Sequence, residues 1–594
     1  MSASPALRQS LARLLFVALV ALSWGLDGRR LTVESPGAGA PPFTLREVSG
    51  PLGLGFRHER ASFDEKLAHI EAQIAALGAA VAVTDADADG LPDLYVTTSA
   101  FDRPNALFLN RGAQGFVDGA GPAGLADVNR EGLGVSMGSV WADMDNDGDE
   151  DCFLYRYGYP SLYRNDGELV FTDVTRDSGL EHWVNANCAL WFDADEDGLV
   201  DLFVAGYFPE RFDLWNLETT RVMQDSFEFS NNGGSNRLYR NLGDGRFEEI
   251  TEAAGLTSNR WTMGAAAADF DGDGHVDLYL ANDYGAEEFH RNLGAGPDEG
   301  GPRFELVDAG LGDDSKSGMC VALGEVRNEG RMSVFVTNIS ERGYLFQGNN
   351  LRHDYLAEGA GFLNVAEGIV ADCGWAWGAQ FGDLDNDGWQ DLFVANGFVT
   401  GDEGEGSYWY GMSKVGGAAG GLVEDAANWP PMWGKDLSGS ERSRVLHNRG
   451  GRRFDDVAEA VGVTDRYDGR AVAMADLSGR GALDVIVANQ RGPLLVYRAE
   501  PPPGQHWVQF ELTGTVSNRS AIGAAVELKA GALHGLRVVD GGSGFSAQNG
   551  RRLHFGLGTQ ATLDEVIVHW PSGRRQVLHD LEVDRVHAIT EPAS

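Results

Sequence analysis

A nine-residue loop rich in aspartate recurs along the chain, and the copy that begins at Asp143 reads DMDNDGDED. Carboxylates stand at its first, third, fifth and ninth positions, and Gly148 stands at the sixth. Alternating carboxylates in a tight loop supply the oxygen ligands that Ca²⁺ takes at about 2.3–2.6 Å. The glycine permits the positive φ that such a turn needs. The pattern therefore predicts a calcium-binding loop.

The loop differs from an EF-hand, which carries a bidentate glutamate at position twelve and lies between two helices. Here position twelve is Leu154, and the residues after the loop alternate as in a β-strand. Four further intact copies begin at residues 85, 193, 269 and 383. The predicted calcium ligands are Asp85, Asp87, Asp89, Asp93, Asp143, Asp145, Asp147, Asp151, Asp193, Asp195, Asp197, Asp201, Asp269, Asp271, Asp273, Asp277, Asp383, Asp385, Asp387 and Asp391.

Two more copies have lost part of the carboxylate pattern. The copy at Glu325 carries Arg327 at its third position, and the copy at Asp476 carries Arg480 at its fifth. An arginine inside the loop can supply the positive charge that calcium supplies elsewhere. We therefore expect these two loops to be metal-free and the protein to bind about five Ca²⁺ ions.

The loops belong to a repeat of four short strands, spaced by roughly 55 residues, which is typical of a propeller blade or a solenoid rung. Seven units can be counted. The seventh lacks its closing phenylalanine phrase, and a matching phrase, FTLREV, begins at Phe43. A closed ring leaves no open sheet edge if this N-terminal strand completes the last unit. The sequence thus predicts an all-β fold with a seven-bladed β-propeller over residues 43–500.

The flanking segments have different patterns. Residues 504–592 consist of short alternating strands between glycine turns and predict a small β-rich C-terminal domain. Residues 1–23 have the basic, apolar and small-residue regions of a secretory signal peptide, with an uncleaved N-terminal anchor as the alternative. Residues 24–42 are a linker, and the capping-box pattern predicts a helix over residues 62–77.

The composition excludes some classes of partner. The formal net charge is −41, and five bound divalent ions would leave −31, which disfavours nucleic acids and anionic membranes. We expect no membrane insertion beyond the N-terminal anchor. The four cysteines are compatible with two disulfides, 152–188 and 320–373, or with buried free thiols.

At this point the chain resembles a known family. The repeats look like the FG-GAP/VCBS calcium-binding repeats of integrin-α-type propellers. The tail phrases SNRSAIGAAVELKAG, GGSGFSAQNGRRLHFGLG and VHWPSG look like the ASPIC/UnbV domain. The combination is similar to bacterial relatives of cartilage acidic protein. This resemblance implies a secreted or cell-surface calcium-binding propeller, and it assigns calcium to the intact loops alone.

The function that we predict from the sequence is an interaction module with structural calcium, placed in the secreted, periplasmic or cell-surface compartment. The units with loops at 193 and 383 are lengthened by aromatic-rich insertions that suit a carbohydrate or extracellular protein partner. Their aromatics are Tyr207, Phe208, Phe212, Trp215, Tyr408, Trp409, Tyr410, Trp429 and Trp433. Alternatively, these rings pack on each other and cover the propeller face.

The second hypothesis is that the protein is an enzyme. No catalytic or cofactor-binding residue is assigned, because the chain has no HExxH, G-x-S-x-G or P-loop motif. The alternative to a binding module is a calcium-dependent carbohydrate-active enzyme of the polysaccharide lyase type. Such an enzyme would need a basic residue beside an occupied calcium site.

Overall fold

Short strands, nearly all antiparallel, are the main regular secondary structure of the computed structural model, which describes residues 41–295, 301–312, 315–416 and 420–593. The predicted signal peptide (1–23) lies outside the described residues, and so does nearly all of the predicted linker (24–42). Among the helices in the described ranges, none has both the length and the apolar character needed to cross a membrane.

The repeats fold into successive groups of four strands that pair in the order in which they follow each other. Seven such groups, here called units 1 to 7, occur in the described residues. The strands of units 1, 2 and 3 are, in turn, Val81–Thr84, Asp93–Val96, Ala106–Asn110 and Phe116–Asp118; Gly134–Ala142, Asp151–Gly158, Ser161–Asn165 and Phe171–Asp173; and Val184–Phe192, Asp201–Phe208, Arg237–Asn241 and Phe247–Glu249. Those of units 4 and 5 are Trp261–Ala268, Asp277–Asp283, Glu288–Ala295 and Pro302–Leu306; and Val321–Gly324, Ser333–Val336, Asn350–Tyr355 and Gly361–Asn364. Those of units 6 and 7 are Ala376–Gly382, Asp391–Asn396, Arg444–Asn448 and Phe454–Asp456; and Asp468–Ala475, Asp484–Gln490, Leu495–Glu500 and Thr44–Glu47.

Within each unit, the first strands are largely buried and the fourth strand is the most exposed. Every residue of the first two strands of unit 2 is buried, whereas its fourth strand is largely exposed. The first two strands therefore face protein on both sides, while the outer strand lies at the surface. Units 2 and 3 share one sheet, because Val184 and Asn185 pair with Gly158 and Tyr157. A small hairpin in unit 5 joins Ser340–Glu341 to Leu345–Phe346.

The N-terminal strand completes unit 7, as predicted. Thr44–Glu47 pairs antiparallel with Leu495–Glu500, so the first and last strands of the repeat region lie side by side. Phe43 and Leu45 are each only 3% exposed. The apolar face of this strand is therefore packed in the core, and the strand covers what would otherwise be an open sheet edge.

The C-terminal domain contains two small sheets and a two-residue strand that joins unit 1. One sheet is formed by Leu553–Gly558, His506–Thr513 and Arg585–Thr590, and the other by Leu533–Val538, Ala525–Ala530, Glu565–His569 and Arg575–Leu578. The short strand Ala547–Gln548 leaves these sheets and pairs in parallel with Val81 and Ala82.

The segment around this short strand, residues 541–550, runs along the first strands of several units. Gly541 accepts a hydrogen bond from the backbone of unit 3, and Gly544 donates one to unit 5. The Gln548 side chain bonds the backbone of Trp141 in unit 2 in both directions. Asn549 accepts a hydrogen bond from the backbone of unit 7. The first strands of these units therefore converge on one segment of the C-terminal domain.

Helical segments are short. They are Ser49–Leu52, Glu65–Leu67, Glu71–Ile74, Gly112–Gln114, Ala120–Ala123, Thr251–Ala254, Leu356–Glu358, Trp409–Gly416, Gly420–Leu422, Ala426–Asn428 and Ala458–Val461. The continuous helix predicted over residues 62–77 is wrong. Asp64 begins the first turn by accepting a hydrogen bond from Lys66 N, and Ile70 has φ −126°, which interrupts the helical path.

The four cysteines are buried free thiols, which settles the alternative left open by the sequence. Cys320 donates to the carbonyl of Ala379, and Cys373 donates to the carbonyl of Ile369. Each of these two thiols thus donates a hydrogen bond within the core and forms no disulfide.

Candidate calcium loops and a candidate binding pocket

The first aspartate of each intact loop fixes the turn. Asp143 accepts hydrogen bonds from the N–H groups of Asp147 and Gly148, at 2.9 and 2.8 Å. The equivalent pairs of bonds occur at Asp85, Asp193, Asp269 and Asp383. The sixth-position glycine has a positive φ, 110° at Gly148, which accounts for glycine at this place.

The ninth aspartate ties the loop to the third strand of its unit. Asp151 accepts from Met144 N at 2.9 Å and from Asn165 N at 2.8 Å. Asp93, Asp201, Asp277 and Asp391 make the same two kinds of bond. These carboxylates are therefore built into the sheet, and the loop ends are held in one geometry.

At each intact loop, three candidate ligand groups lie within 4.8 Å of one another. The groups are Asp85, Asp87 and Asp93; Asp143, Asp145 and Asp151; Asp193, Asp195 and Asp197; Asp269, Asp271 and Asp273; and Asp385, Asp391 and His447. The predicted ligands outside these groups are Asp89, Asp147, Asp201, Asp277, Asp383 and Asp387. They lie in the same loops, mostly as hydrogen-bond acceptors of the turn and strand amides.

The residues fit a bound cation. Oδ1 of Asp87, of Asp145 and of Asp195 is buried and has no hydrogen-bond partner among the described residues. Burial, together with the neighbouring carboxylates, raises the pKa of Asp93 and of Asp151 to about 8. Ionised carboxylates so close together are unfavourable unless a positive charge lies among them. The clusters can therefore hold metal ions.

Sequence reasoning missed the basic residues that approach the loops from the third strand. Arg111 contacts Asp87 at 2.7 Å, and Arg240 and Arg291 contact the third-position aspartates of their own loops at 2.6 Å. In unit 6 the same strand carries His447, whose Nδ1 lies 2.9 Å from Asp391 Oδ1. The basic residue beside the recurring asparagine, in phrases such as LYRNLG, is the sequence feature that could have indicated these contacts.

That recurring asparagine links neighbouring units and was also missed. The Asn165 side chain donates to the Ala86 carbonyl of unit 1, and Asn241 and Asn292 reach back to units 2 and 3 in the same way. Asn110 of unit 1 donates to the Leu477 carbonyl of unit 7, at 2.8 Å. The first and last units are therefore joined at their loops as well as through the N-terminal strand, which precedes unit 1 and completes unit 7.

The C-terminal domain covers the loop ends. Arg519 Nε lies 3.6 Å from Asp143 Oδ2, and Ser520 accepts a hydrogen bond from Asp143 N. Arg551 forms an ion pair with Glu150 of the same loop. His554 contacts Asn386 in the loop of unit 6, at 2.8 Å. The calcium-loop candidates therefore lie at the boundary between the repeats and the C-terminal domain.

The two decayed loops are neutralised in different ways. In unit 7, Arg480 Nη2 lies 3.2 Å from Asp484 Oδ1, but Asp476 is held by backbone N–H groups and by Gln509. The predicted bridge between both carboxylates is thus only half formed.

In unit 5, the expected role of Arg327 is wrong. Its guanidinium bonds the Tyr355 hydroxyl, and the cation whose charge opposes the burial-raised pKa of Glu325 is Arg537 of the C-terminal domain.

The substitution Arg480→Asp should create an additional calcium site in unit 7. Asp484 is fully buried and pairs with both Arg480 and Arg498, so losing one of these two partners should destabilise the calcium-free protein by about 2 kcal/mol. Calorimetry should detect one more bound Ca²⁺ than in the wild type. Arg466→Asp makes the same charge change at an exposed position and should leave the calcium count unchanged. If the wild type and Arg480→Asp bind the same number of Ca²⁺ ions, the hypothesis that Arg480 takes the place of a calcium ion is wrong.

The two insertions meet and build a second candidate site. Thr220 Oγ1 donates to Asp425 Oδ1 at 2.6 Å, and Met223 N donates to the Glu424 carbonyl at 3.1 Å. Beside them lies a cavity of about 320 Å³, which lies at the lower end of the ~300–1,000 Å³ range of small-molecule pockets. The residues at 73–77, from the segment predicted as a helix, line part of it.

Two groups of aromatic rings line this cavity. The first wall consists of Tyr207, Phe208, Trp261 and Tyr284, joined by edge contacts with centroids 5.0–5.8 Å apart. The second wall consists of Trp375, Trp377, Phe398 and Trp409, with centroids 4.3–5.6 Å apart. Most of the insertion aromatics are therefore buried against other rings, whereas Phe229, Tyr410 and Trp433 are largely exposed, at 60%, 71% and 62%.

Several polar groups lining the cavity have no hydrogen-bond partner among the described residues. They are the Nε1 atoms of Trp375 and Trp377, both amide atoms of Gln224, and the Oε1 atoms of Gln73 and Gln347. Gln224 is fully buried. Each buried group left unpaired costs about 1–3 kcal/mol, so this arrangement indicates a place for a bound molecule.

Comparisons with known proteins agree with the resemblance seen in the sequence. Residues 514–594 match the family described as ASPIC and UnbV. Residues 85–154, 143–204 and 226–280 match the FG-GAP-like repeat.

The relatives found among curated proteins are named cartilage acidic protein 1. Human cartilage acidic protein 1 is 29% identical over 188 residues, which cover 30% of this chain and 24% of that protein. The Xenopus tropicalis protein of the same name is 24% identical over 500 residues, 74% of this chain and 71% of that protein. The match to the human relative thus spans about a quarter of its length.

Among solved structures, an Agrocybe aegerita lectin described as recognising non-reducing terminal N-acetylglucosamine has a TM-score of 0.36 and 15% identity. The similarity covers 71% of this chain and 89% of that chain, and it is too low to bear on fold or function. The sequence matches, in contrast, agree with one another. The chain contains FG-GAP-like repeats followed by an ASPIC and UnbV domain, and it is a homologue of proteins named cartilage acidic protein 1.

Proposed function

We propose that the seven units form a closed seven-bladed propeller with Ca²⁺ in the five intact loops. Two contacts between the ends of the repeat region support closure: the pairing of Thr44–Glu47 with Leu495–Glu500, and the bond from Asn110 to Leu477. The convergence of first strands on residues 541–550 supports a radial arrangement. Unpartnered, buried carboxylate oxygens support metal in the loops.

Calcium has a structural role in this proposal. The loops lie under the C-terminal domain and their carboxylates are held by backbone N–H groups, so a bound ion would stabilise the turn and the domain boundary together. The lyase alternative gains no support from the described residues. The arginines nearest the intact loops of units 1, 3 and 4 are engaged with loop carboxylates rather than free to act as a base.

We propose further that the protein is an interaction module of the secreted, periplasmic or cell-surface compartment that binds a carbohydrate in the cavity between the two aromatic walls. One observation carries this: aromatic faces and unpartnered hydrogen-bonding groups line the same cavity. A sugar ring offers C–H faces for aromatic contact and hydroxyls that both donate and accept hydrogen bonds.

A glycan array tests this function. The purified protein should bind a subset of glycans in the presence of Ca²⁺ and bind less after chelation. Trp375→Ala should abolish binding, because Trp375 lines the cavity with an unpartnered Nε1. Trp433→Ala removes an exposed tryptophan outside the cavity and serves as the matched control. Unchanged binding by Trp375→Ala, or no glycan bound at all, would overturn the proposal.

A further inference from the structure

The cavity between the aromatic walls has chemical features that narrow its ligand. The unpartnered groups comprise three donor groups, on Trp375, Trp377 and Gln224, and three acceptor oxygens, on Gln224, Gln73 and Gln347. None of these groups carries a charge. A molecule that satisfies them must both donate and accept hydrogen bonds.

Charges around the cavity disfavour ionic ligands of either sign. Arg470 is fully buried behind the second wall, with its guanidinium 4.0 Å from the Trp377 ring centroid and 5.7 Å from that of Phe398. Its donors bond only backbone carbonyl groups, including those of Ala76 and Gly397. The Arg470 guanidinium therefore already lies against the aromatic rings that would otherwise attract a ligand cation.

Anions are disfavoured from the other wall. Asp283 is buried beside Tyr207, whose hydroxyl donates to it at 3.0 Å. Glu228 also lines the cavity, where it pairs with Lys316 at 3.0 Å. A ligand carboxylate or sulfate would meet these carboxyl groups without a free cation in the described lining. The remaining class is an uncharged molecule rich in hydroxyl groups.

The cavity is closed at its inner side. Behind Trp377 lies Phe545, which is fully buried and packs edge-on at 5.2 Å. Phe545 belongs to the 541–550 segment that runs along the first strands, so a polymer cannot pass through at this point. A volume of about 320 Å³ is sufficient for a sugar ring.

We propose that this pocket binds a single uncharged pyranose residue at the end of a glycan chain, with Gln224 as a residue that determines specificity. The proposal rests on the carbohydrate-binding function proposed above and makes it specific. The ring lies against the aromatic walls, and its hydroxyls pair with Gln224 and with the tryptophan Nε1–H groups. Uronic acids, sulfated sugars and free amino sugars are rejected.

Titration calorimetry and saturation-transfer NMR with free monosaccharides test it. The panel is glucose, galactose, mannose, fucose and N-acetylglucosamine, with glucuronic acid and glucosamine as charged counterparts. At least one uncharged sugar should bind and should compete with the glycans bound on the array. Its charged counterpart should bind at least tenfold more weakly. Equal or tighter binding of the charged sugars would overturn the proposal.

The substitution Gln224→Leu separates a binding role from a structural one. Because both amide atoms are buried without partners, this change should keep or raise the melting temperature of the ligand-free protein. It should weaken sugar binding at least tenfold, because the sugar hydroxyls lose their partner. Gln114→Leu makes the same side-chain change at an exposed glutamine outside the cavity, is the matched control, and should bind as the wild type does.

The outcomes distinguish the two proposals. If glycans bind on the array but no monosaccharide competes and Gln224→Leu binds normally, the terminal-residue proposal fails while the carbohydrate function stands. If Trp375→Ala also binds normally, the cavity is not the site and both proposals fail.

Discussion

Chelating calcium should lower the free energy of unfolding by about 7 kcal/mol. Extracellular calcium modules bind with Kd of about 10⁻⁴–10⁻³ M, and a site held at ten times Kd contributes roughly 1.4 kcal/mol. Five independent sites would together contribute about five times that amount. The physical reason is the clustering of buried carboxylates, which repel each other when no cation is present.

Thermal melting in excess EGTA measures this loss. The melting temperature should fall markedly and should recover when Ca²⁺ is restored above the chelator. Magnesium at the same concentration is the control, because its preference for octahedral geometry with retained waters suits these loops poorly. A melting curve that is the same in EGTA and in calcium would contradict the structural role of the ions.

Removing the N-terminal strand should have an effect of similar size. Phe43, Leu45 and Val48 are 3–4% exposed, and full burial of such side chains contributes about 1.5–3 kcal/mol each. A variant that begins at Ser62 should therefore lose about 5–9 kcal/mol. It should also aggregate, because Leu495–Glu500 becomes an open edge.

A pair of point substitutions checks the same contact in the full chain. Leu45→Asp places a charge in the core and should lower the melting temperature strongly. Val117→Asp introduces the same charge at an exposed position of the fourth strand of unit 1 and should change it little. A soluble and equally stable variant that begins at Ser62 would show that the strand is dispensable for closure.

The strand pairing and the loops could be predicted because the same pattern recurs along the chain. In the loop at Asp143, the spacing of carboxylates around Gly148 sets the turn, and the amide bonds to the first aspartate follow from it. The phrase FTLREV was assigned to the last unit because that unit lacked one. In both cases the repeat itself supplied the comparison.

Contacts between distant residues could not be predicted in this way. Spacing placed Arg327 and Arg480 in their loops, but the direction of each side chain depends on partners elsewhere, such as Tyr355. The aromatic insertions were read as exposed or mutually packed, and only their meeting across units shows that they line a cavity. The insertion of residues 541–550 along the first strands joins positions hundreds of residues apart.

The helix predicted over residues 62–77 shows how tertiary contacts override a local pattern. The capping-box spacing of Ser62 and Glu65 is present, yet Asp64 takes the capping role. Asp64 is also bound to the first insertion, through Leu214 and Leu217. Those contacts fix the chain in a path that a continuous helix could not follow.

The number of calcium ions bound per chain tests the central claim most directly. The protein is equilibrated with millimolar Ca²⁺, and its metal content is measured by calorimetric titration and elemental analysis. The account predicts five ions, one for each loop with carboxylates at its first, third, fifth and ninth positions. A count of seven would mean that the arginine-bearing loops bind metal as well, and a count of zero would contradict the calcium-binding propeller itself.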